Sequence, residues 1–246
     1  MRVSRFQGGH ASHCAGRLFA CGQVYDVGMS KRAQKREGSS ASGRAADWRR
    51  AERELREARR QLGSGEASAA AEALRTIAAR GALPPGLEAD VRYLLGRALD
   101  VCGDRVGMSR EWGLVLALDA ASPPQPLMAE DEFESVAEAA LAELPQELLD
   151  QLRSVAILVA ERPSAEMVAD GIDPRILGLY HGVPMARRSI SFGAPYADTI
   201  HLFRANLERV CATRAALAEQ TRITVLHETA HYFGYTEHQL RRMGLA

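Results

Sequence analysis

The sequence lacks most of the features that announce a compartment or a partner. No apolar run approaches the roughly 18 residues a helix needs to cross a bilayer. Met1–Gly28 mixes Arg, His, Gly and Cys without the continuous apolar core of a signal peptide. A cytoplasmic location is therefore the expectation. Cysteine is scarce: Cys14, Cys21, Cys102 and Cys211 are too scattered to form a disulfide framework. His10, His13, Cys14 and Cys21 have none of the usual structural zinc spacings. Net charge is lacking too, with 31 basic residues against 31 acidic ones. Gross electrostatics thus give no reason to expect a nucleic acid or a membrane surface as partner.

What is present falls into segments of different character. Residues 1–46 read as a disordered tail, since 30–46 are Lys/Arg, Ser and Gly with little to bury. Met29 opens that polar stretch, so residues 1–28 are also readable as a mis-assigned start. Residues 47–119 are helical throughout. Trp48, Leu55, Ala58 and Leu62 stripe one side of a first helix, with Asp47 at its N-cap. Ala70, Leu74 and Ile77 stripe a second, after the break at Gly63-Ser64-Gly65. Val91, Leu94, Leu95, Ala98 and Leu99 mark a third, and Met108, Trp112, Val115 and Leu116 a fourth. The residues Leu95-Gly96, Leu99, Gly103-Asp104, Met108, Trp112 and Val115 resemble one tetratricopeptide-type repeat, which implies stacked helical hairpins and a protein-binding surface.

Residues 120–127, rich in Pro, Ser and Ala, form a linker. The rest, 128–246, alternates helices with short β-type runs. Phe133, Val136, Ala140 and Leu144 make an amphipathic helix, and Pro145 starts another. Val155–Val159 is a strand, Ile176–Tyr180 with Met185–Ile190 a hairpin, and Thr199–Phe203 a further strand. A long helical stretch covers about 205–233. The expected fold class is α+β, with an all-helical N-terminal region before it.

The end of that helical stretch carries the chemistry. His227 and His231 are four residues apart, so their Cβ atoms share one helix face at about 5–6 Å. That gap lets two imidazole nitrogens reach one metal ion. Glu228 lies on the adjacent strip, where a carboxylate contacts metal-bound water without ligating the ion. A zinc ion lowers the pKa of that water towards about 7, within reach of a carboxylate base. A catalytic zinc needs three protein ligands and an open position. Gly234 allows a sharp reversal that returns Glu237 towards the metal, and His238 and the strand residue His201 are the other candidates. Tyr180, Tyr196, Tyr232 and Tyr235 are candidate oxyanion donors, Tyr235 the nearest to the turn. Asp198 and His201 are candidates to line the cleft.

The segment from about Met128 to Ala246 resembles the minimal zincin-like metallopeptidases. The resemblance rests on Leu144-Pro145, the β-run before Glu161, Leu177-Gly178-Leu179-Tyr180 with Gly182-Val183-Pro184, and Thr199–Arg204. The most diagnostic part is His227-Glu228-x-x-His231-x-x-Gly234-x-x-Glu237. It implies a zincin-like domain, Zn2+ as cofactor, His227, His231 and Glu237 as metal ligands, and Glu228 as general base. In the family the last position is typically Asp, so Glu237 departs by one methylene. The expected function is a zinc-dependent hydrolase, a metallopeptidase acting on a peptide or protein. Either Leu177–Tyr180 or Thr199–Phe203 is placed to pair with an extended peptide by edge addition. The alternative is a tetratricopeptide-like binding scaffold whose zincin domain is catalytically silent or structural.

Overall fold

A computed structural model describes residues 3–5, 18–20, 40–185 and 198–243. The chain divides into two units, Met29–Pro123 with Ser164–Pro174, and Met1–Gly28 with Pro124–Pro163 and Arg175–Ala246. In chain order the elements open with strands β1 (Val3–Arg5) and β2 (Leu18–Ala20) and helices α1 (Ser40–Gly63), α2 (Ala67–Ala79), α3 (Pro85–Val101) and α4 (Arg105–Ala121). Then come α5 (Glu130–Ala142), α6 (Gln146–Gln151), β3 (Ala156–Ala160), α7 (Ala165–Ala169), β4 (Gly178–His181) and β5 (Thr199–Phe203). The chain closes with α8 (Arg204–Val210), α9 (Arg214–Phe233) and α10 (Glu237–Arg242).

The first unit is all helical. Each of α1 to α4 packs on the next, because every helix has one apolar stripe and a short turn to its neighbour. Leu55, Ala58, Leu74, Ile77, Leu94, Leu95, Leu99, Met108 and Trp112 form its core. Gly103, at φ 81°, makes the turn between α3 and α4, and Asp104 caps α4 by accepting from the Gly107 N–H at 2.9 Å. The tight crossing of α3 and α4 depends on Gly96. A Cβ there would lie 2.3 Å from the Trp112 ring. Two sequence expectations change here. Asp47 is not an N-cap, since α1 already begins at Ser40 within the segment expected to be tail. Residues 164–174, expected with the C-terminal domain, lie in the helical unit: Val168 joins its core, and the Tyr93 hydroxyl donates to Asp173 at 2.8 Å.

The second unit is α+β. Its sheet has the order β1-β3-β5-β4-β2, with β1, β3 and β5 parallel and β4 antiparallel to both β5 and β2. Ile157, Val159, Ile200, Leu202 and Tyr180 face the core and meet Phe133, Ala140 and Leu141 of α5 and Leu217, Val225 and Tyr232 of α9. Strand side chains alternate, which puts His201 on the opposite face of the sheet from Ile200 and Leu202.

Three further expectations shift. The stretch 205–233 is two helices, because the chain breaks at Cys211 and restarts where the Thr213 hydroxyl accepts from the Ala216 N–H at 3.1 Å. The first strand of the expected hairpin, Ile176–Tyr180, is extended only from Gly178, as β4, which pairs with β5 and β2, and residues 186–190 of that hairpin lie outside the described residues. The segment expected as a disordered tail contributes β1 and β2, while His10, His13, Cys14, Cys21 and Met29 lie outside the described residues. No helix among the described residues is long and apolar enough to cross a membrane.

Candidate metal centre

Helix α9 is fixed by one buried stripe. Leu217, Thr221, Val225 and Tyr232 recur at helical spacing and are all buried. With that stripe against the sheet, His227, Glu228 and His231 are also carried inside, at 1%, 0% and 3% exposure. Polar groups this deep need a defined partner.

The helix then ends in a Schellman turn. Gly234 is left-handed at φ 94°, its N–H donates to the His231 carbonyl, and the Tyr235 N–H donates to the Ala230 carbonyl at 3.0 Å. The Tyr235 carbonyl in turn lies 3.1 Å from His231 Nδ1. A ring N–H at Nδ1 donating to that carbonyl leaves the Nε2 lone pair free, the tautomer a metal ligand needs. Thr236 starts α10, its N–H donating to Gln239 Oε1 at 2.8 Å, and Glu237 becomes the first helical residue.

This reversal brings three donors together. His227 Nε2 and His231 Nε2 are 3.0 Å apart, and Glu237 Oε1 lies 3.1 Å from the second and 3.4 Å from the first. Four ligands at about 2.0–2.1 Å from a tetrahedral ion sit about 3.3 Å from one another. The donor set of two imidazoles and one carboxylate therefore fits zinc in both chemistry and spacing, and leaves a fourth position. Among the described residues this is the group of three or more His, Cys, Asp or Glu whose donors converge in this way. Burial pushes the His231 pKa down, and the neighbouring His227 adds to that, against the pull of the Tyr235 carbonyl and Glu237. A neutral imidazole is the form that ligates.

Glu228 stands beside the donors and outside the triad. Its Oε2 accepts the Tyr180 N–H at 2.8 Å, whereas Oε1 is buried with no hydrogen-bond partner. Burial raises its pKa to about 8; the Tyr180 N–H lowers it and Glu237 raises it further.

The other candidates lie elsewhere. His238 is exposed on α10. His201 is outside the converging group; its Nε2 is 3.3 Å from the Thr199 hydroxyl, its ring stacks on Phe203, and burial lowers its pKa to about 4. The Tyr180 hydroxyl donates to Asp198 at 2.7 Å and the Tyr232 hydroxyl to the Gln151 carbonyl at 2.9 Å, so both phenols hold the fold together. Tyr235 is 44% exposed beside the turn, and Tyr196 lies outside the described residues. The backbone of Tyr180 has no sequence signature as a partner of Glu228.

Residues 152–245 match the zincin-like metallopeptidase family. The matched segment runs from the turn before β3 through α10, and so contains the three donors and Glu228. The family match points to a zinc-dependent hydrolase. No curated protein matches the chain.

Proposed function

We propose that the chain is a zinc metallopeptidase acting on a peptide or protein, with His227, His231 and Glu237 as ligands and Glu228 as general base. The observation that carries this reading is the convergence of the three donors next to a fully buried carboxylate with one free oxygen. Zinc, when bound, supplies Lewis acidity, which acidifies a water towards a pKa of about 7 and polarises a carbonyl.

The chain's own residues do the rest. The two imidazoles and the Glu237 carboxylate hold the ion, and the Schellman turn orients His231 and sets the reach of Glu237. Glu228 takes the proton of the attacking water on Oε1 and passes it to the leaving amine. Burial raises the carboxyl's pKa and so strengthens its conjugate base, and the charge of a bound zinc ion would favour the ionised form that accepts the proton. Glu237 is one methylene longer than the family's usual Asp, and α10 begins at Glu237 itself, so the extra length is taken up between backbone and metal. The two strands expected to pair with an extended peptide by edge addition are both interior to the sheet, β5 between β3 and β4 and β4 between β5 and β2, so that mode of substrate pairing is not retained.

The test is zinc content by mass spectrometry on wild type, His227→Ala, Glu237→Ala and Glu228→Gln, purified without a metal-binding tag. About one zinc per wild-type chain, lost in His227→Ala, weakened in Glu237→Ala and kept in Glu228→Gln, is expected. Turnover in Glu228→Gln should fall by about 10²–10⁴. Absence of zinc from wild type after zinc addition would sink the reading.

The scaffold alternative has one observation on its side: Val101 and Val106 of the helical unit are 67% and 84% exposed. It predicts zinc without hydrolysis, and partners captured equally by wild type and Glu228→Gln. A peptidase traps them in the inactive variant alone.

A further inference from the structure

Glu228 is held from outside its own helix, at β4. Tyr180 is fully buried; its hydroxyl is tied to Asp198 at 2.7 Å and its ring meets Tyr232 edge-on at 5.9 Å. The backbone just before it is pinned too. The Ile176 carbonyl accepts the Asn206 side-chain amide at 2.8 Å, and the Leu177 carbonyl accepts the Phe203 N–H at 2.9 Å. The Tyr180 N–H that meets Glu228 Oε2 is therefore a fixed donor.

Gly178, two residues earlier, leaves the space that the carboxylate fills. A Cβ there would lie 2.6 Å from Thr224 Cγ2, 2.9 Å from Glu228 Cγ and 3.1 Å from Glu228 Oε1. Glycine is not required by the backbone, since Gly178 is absent from the positive-φ residues and lies in a strand open to any residue. Glycine inside a strand usually marks close approach of another group. Here two groups approach, and neither yields freely. Thr224 is held by its hydroxyl's bond to the Gln220 carbonyl at 2.9 Å, which fixes where Cγ2 points. Glu228 is held by Tyr180.

We propose that Gly178 and the Tyr180 N–H are positioning elements for the base: the N–H tethers Oε2, and the missing side chain at 178 leaves uncrowded the Oε1 that takes the proton. The inference rests on the reading of Glu228 as the base. It divides the two carboxylate oxygens by role, one held and one reactive. A glycine that merely admits α9 to the sheet would matter through Thr224 and Glu228 alike.

The 246-residue chain tests this in three forms: Gly178→Ala, Gly178→Ala with Thr224→Ser, and Glu228→Ala. The serine keeps the hydroxyl and removes Cγ2, relieving one contact and leaving the one with Glu228. Readouts are zinc per chain, melting temperature, fluorescent-casein turnover and the Tyr180 amide signal under selective 15N-tyrosine labelling, which leaves six amides to assign. Gly178→Ala should keep zinc, lose at least tenfold in kcat with KM little changed, and move the Tyr180 amide upfield with faster exchange. Adding Thr224→Ser should recover melting temperature while kcat and the amide stay displaced. Recovery of kcat and the amide together would overturn the proposal and leave Gly178 a packing residue. Glu228→Ala needs neither turnover nor tolerance of alanine at 178. An unchanged Tyr180 amide in that variant would overturn the tether, even if wild type hydrolyses nothing. A displaced amide with no wild-type turnover would uphold the tether and sink the peptidase reading alone.

Discussion

Glu228 carries two opposing demands, complete burial and, in its proposed role as base, a negative charge. The conflict is visible in its pKa, raised to about 8 chiefly by burial. In the metal-free protein this links folding to pH. The native state keeps the proton between about pH 4.5 and 8, while the unfolded chain releases it near 4.5. Native protein thus binds more protons across that window, so stability falls as pH rises, by about 1.4 kcal/mol per pH unit at most. Glu228→Gln imitates the protonated carboxyl and should remove this contribution. Urea unfolding of chelator-treated wild type and variant from about pH 5 to 8 checks it. The stability difference should grow in favour of the variant with pH, and parallel curves would contradict the burial argument.

At the scale of the element, the turn between α9 and α10 decides whether the three candidate metal donors converge. The helix alone supplies His227 and His231; Glu237 arrives only because Gly234 takes φ 94° and reverses the chain. A side chain in the left-handed region costs about 1–2 kcal/mol. Gly234→Ala should therefore lower stability by that amount, and it should also weaken zinc binding by roughly tenfold, about 1.4 kcal/mol, as Glu237 is carried off its position. Thermal melting and chelator competition measure the two effects separately. Loss of stability with unchanged zinc affinity would mean that Glu237 does not depend on this turn for its place.

At the scale of the whole molecule, the two units offer separate reporters. Both tryptophans, Trp48 and Trp112, lie in the helical unit, and all three proposed ligands lie in the α+β unit. Zinc that binds only the folded state stabilises by about 2.7 kcal/mol at a hundredfold excess over Kd. Chelation should lower the melting transition seen by circular dichroism and move the tryptophan-fluorescence transition less. Equal shifts in both signals would show that the units unfold as one.

The sequence alone determined the parts whose physics is local. Apolar stripes in 47–119 and 205–233 require helices that bury them, the Val155–Val159 run requires a strand, and the spacing of His227 and His231 requires both rings on one helix face. Gly234 likewise implies a reversal, because few other residues accept its backbone conformation. Only the tertiary structure decided matters of distance across the chain. Gln220 to Glu228 reads as an ordinary packed helix until β4 is laid beside it; then Thr224 and Glu228 meet Gly178, and a main-chain N–H at Tyr180 becomes the carboxylate's partner. The sequence left His201 and His238 open beside Glu237. Strand alternation turns His201 to the far face of the sheet, and helix phase leaves His238 in solvent. The return of 164–174 to the helical unit was equally hidden, since a one-turn helix has no stripe long enough to show which core it joins.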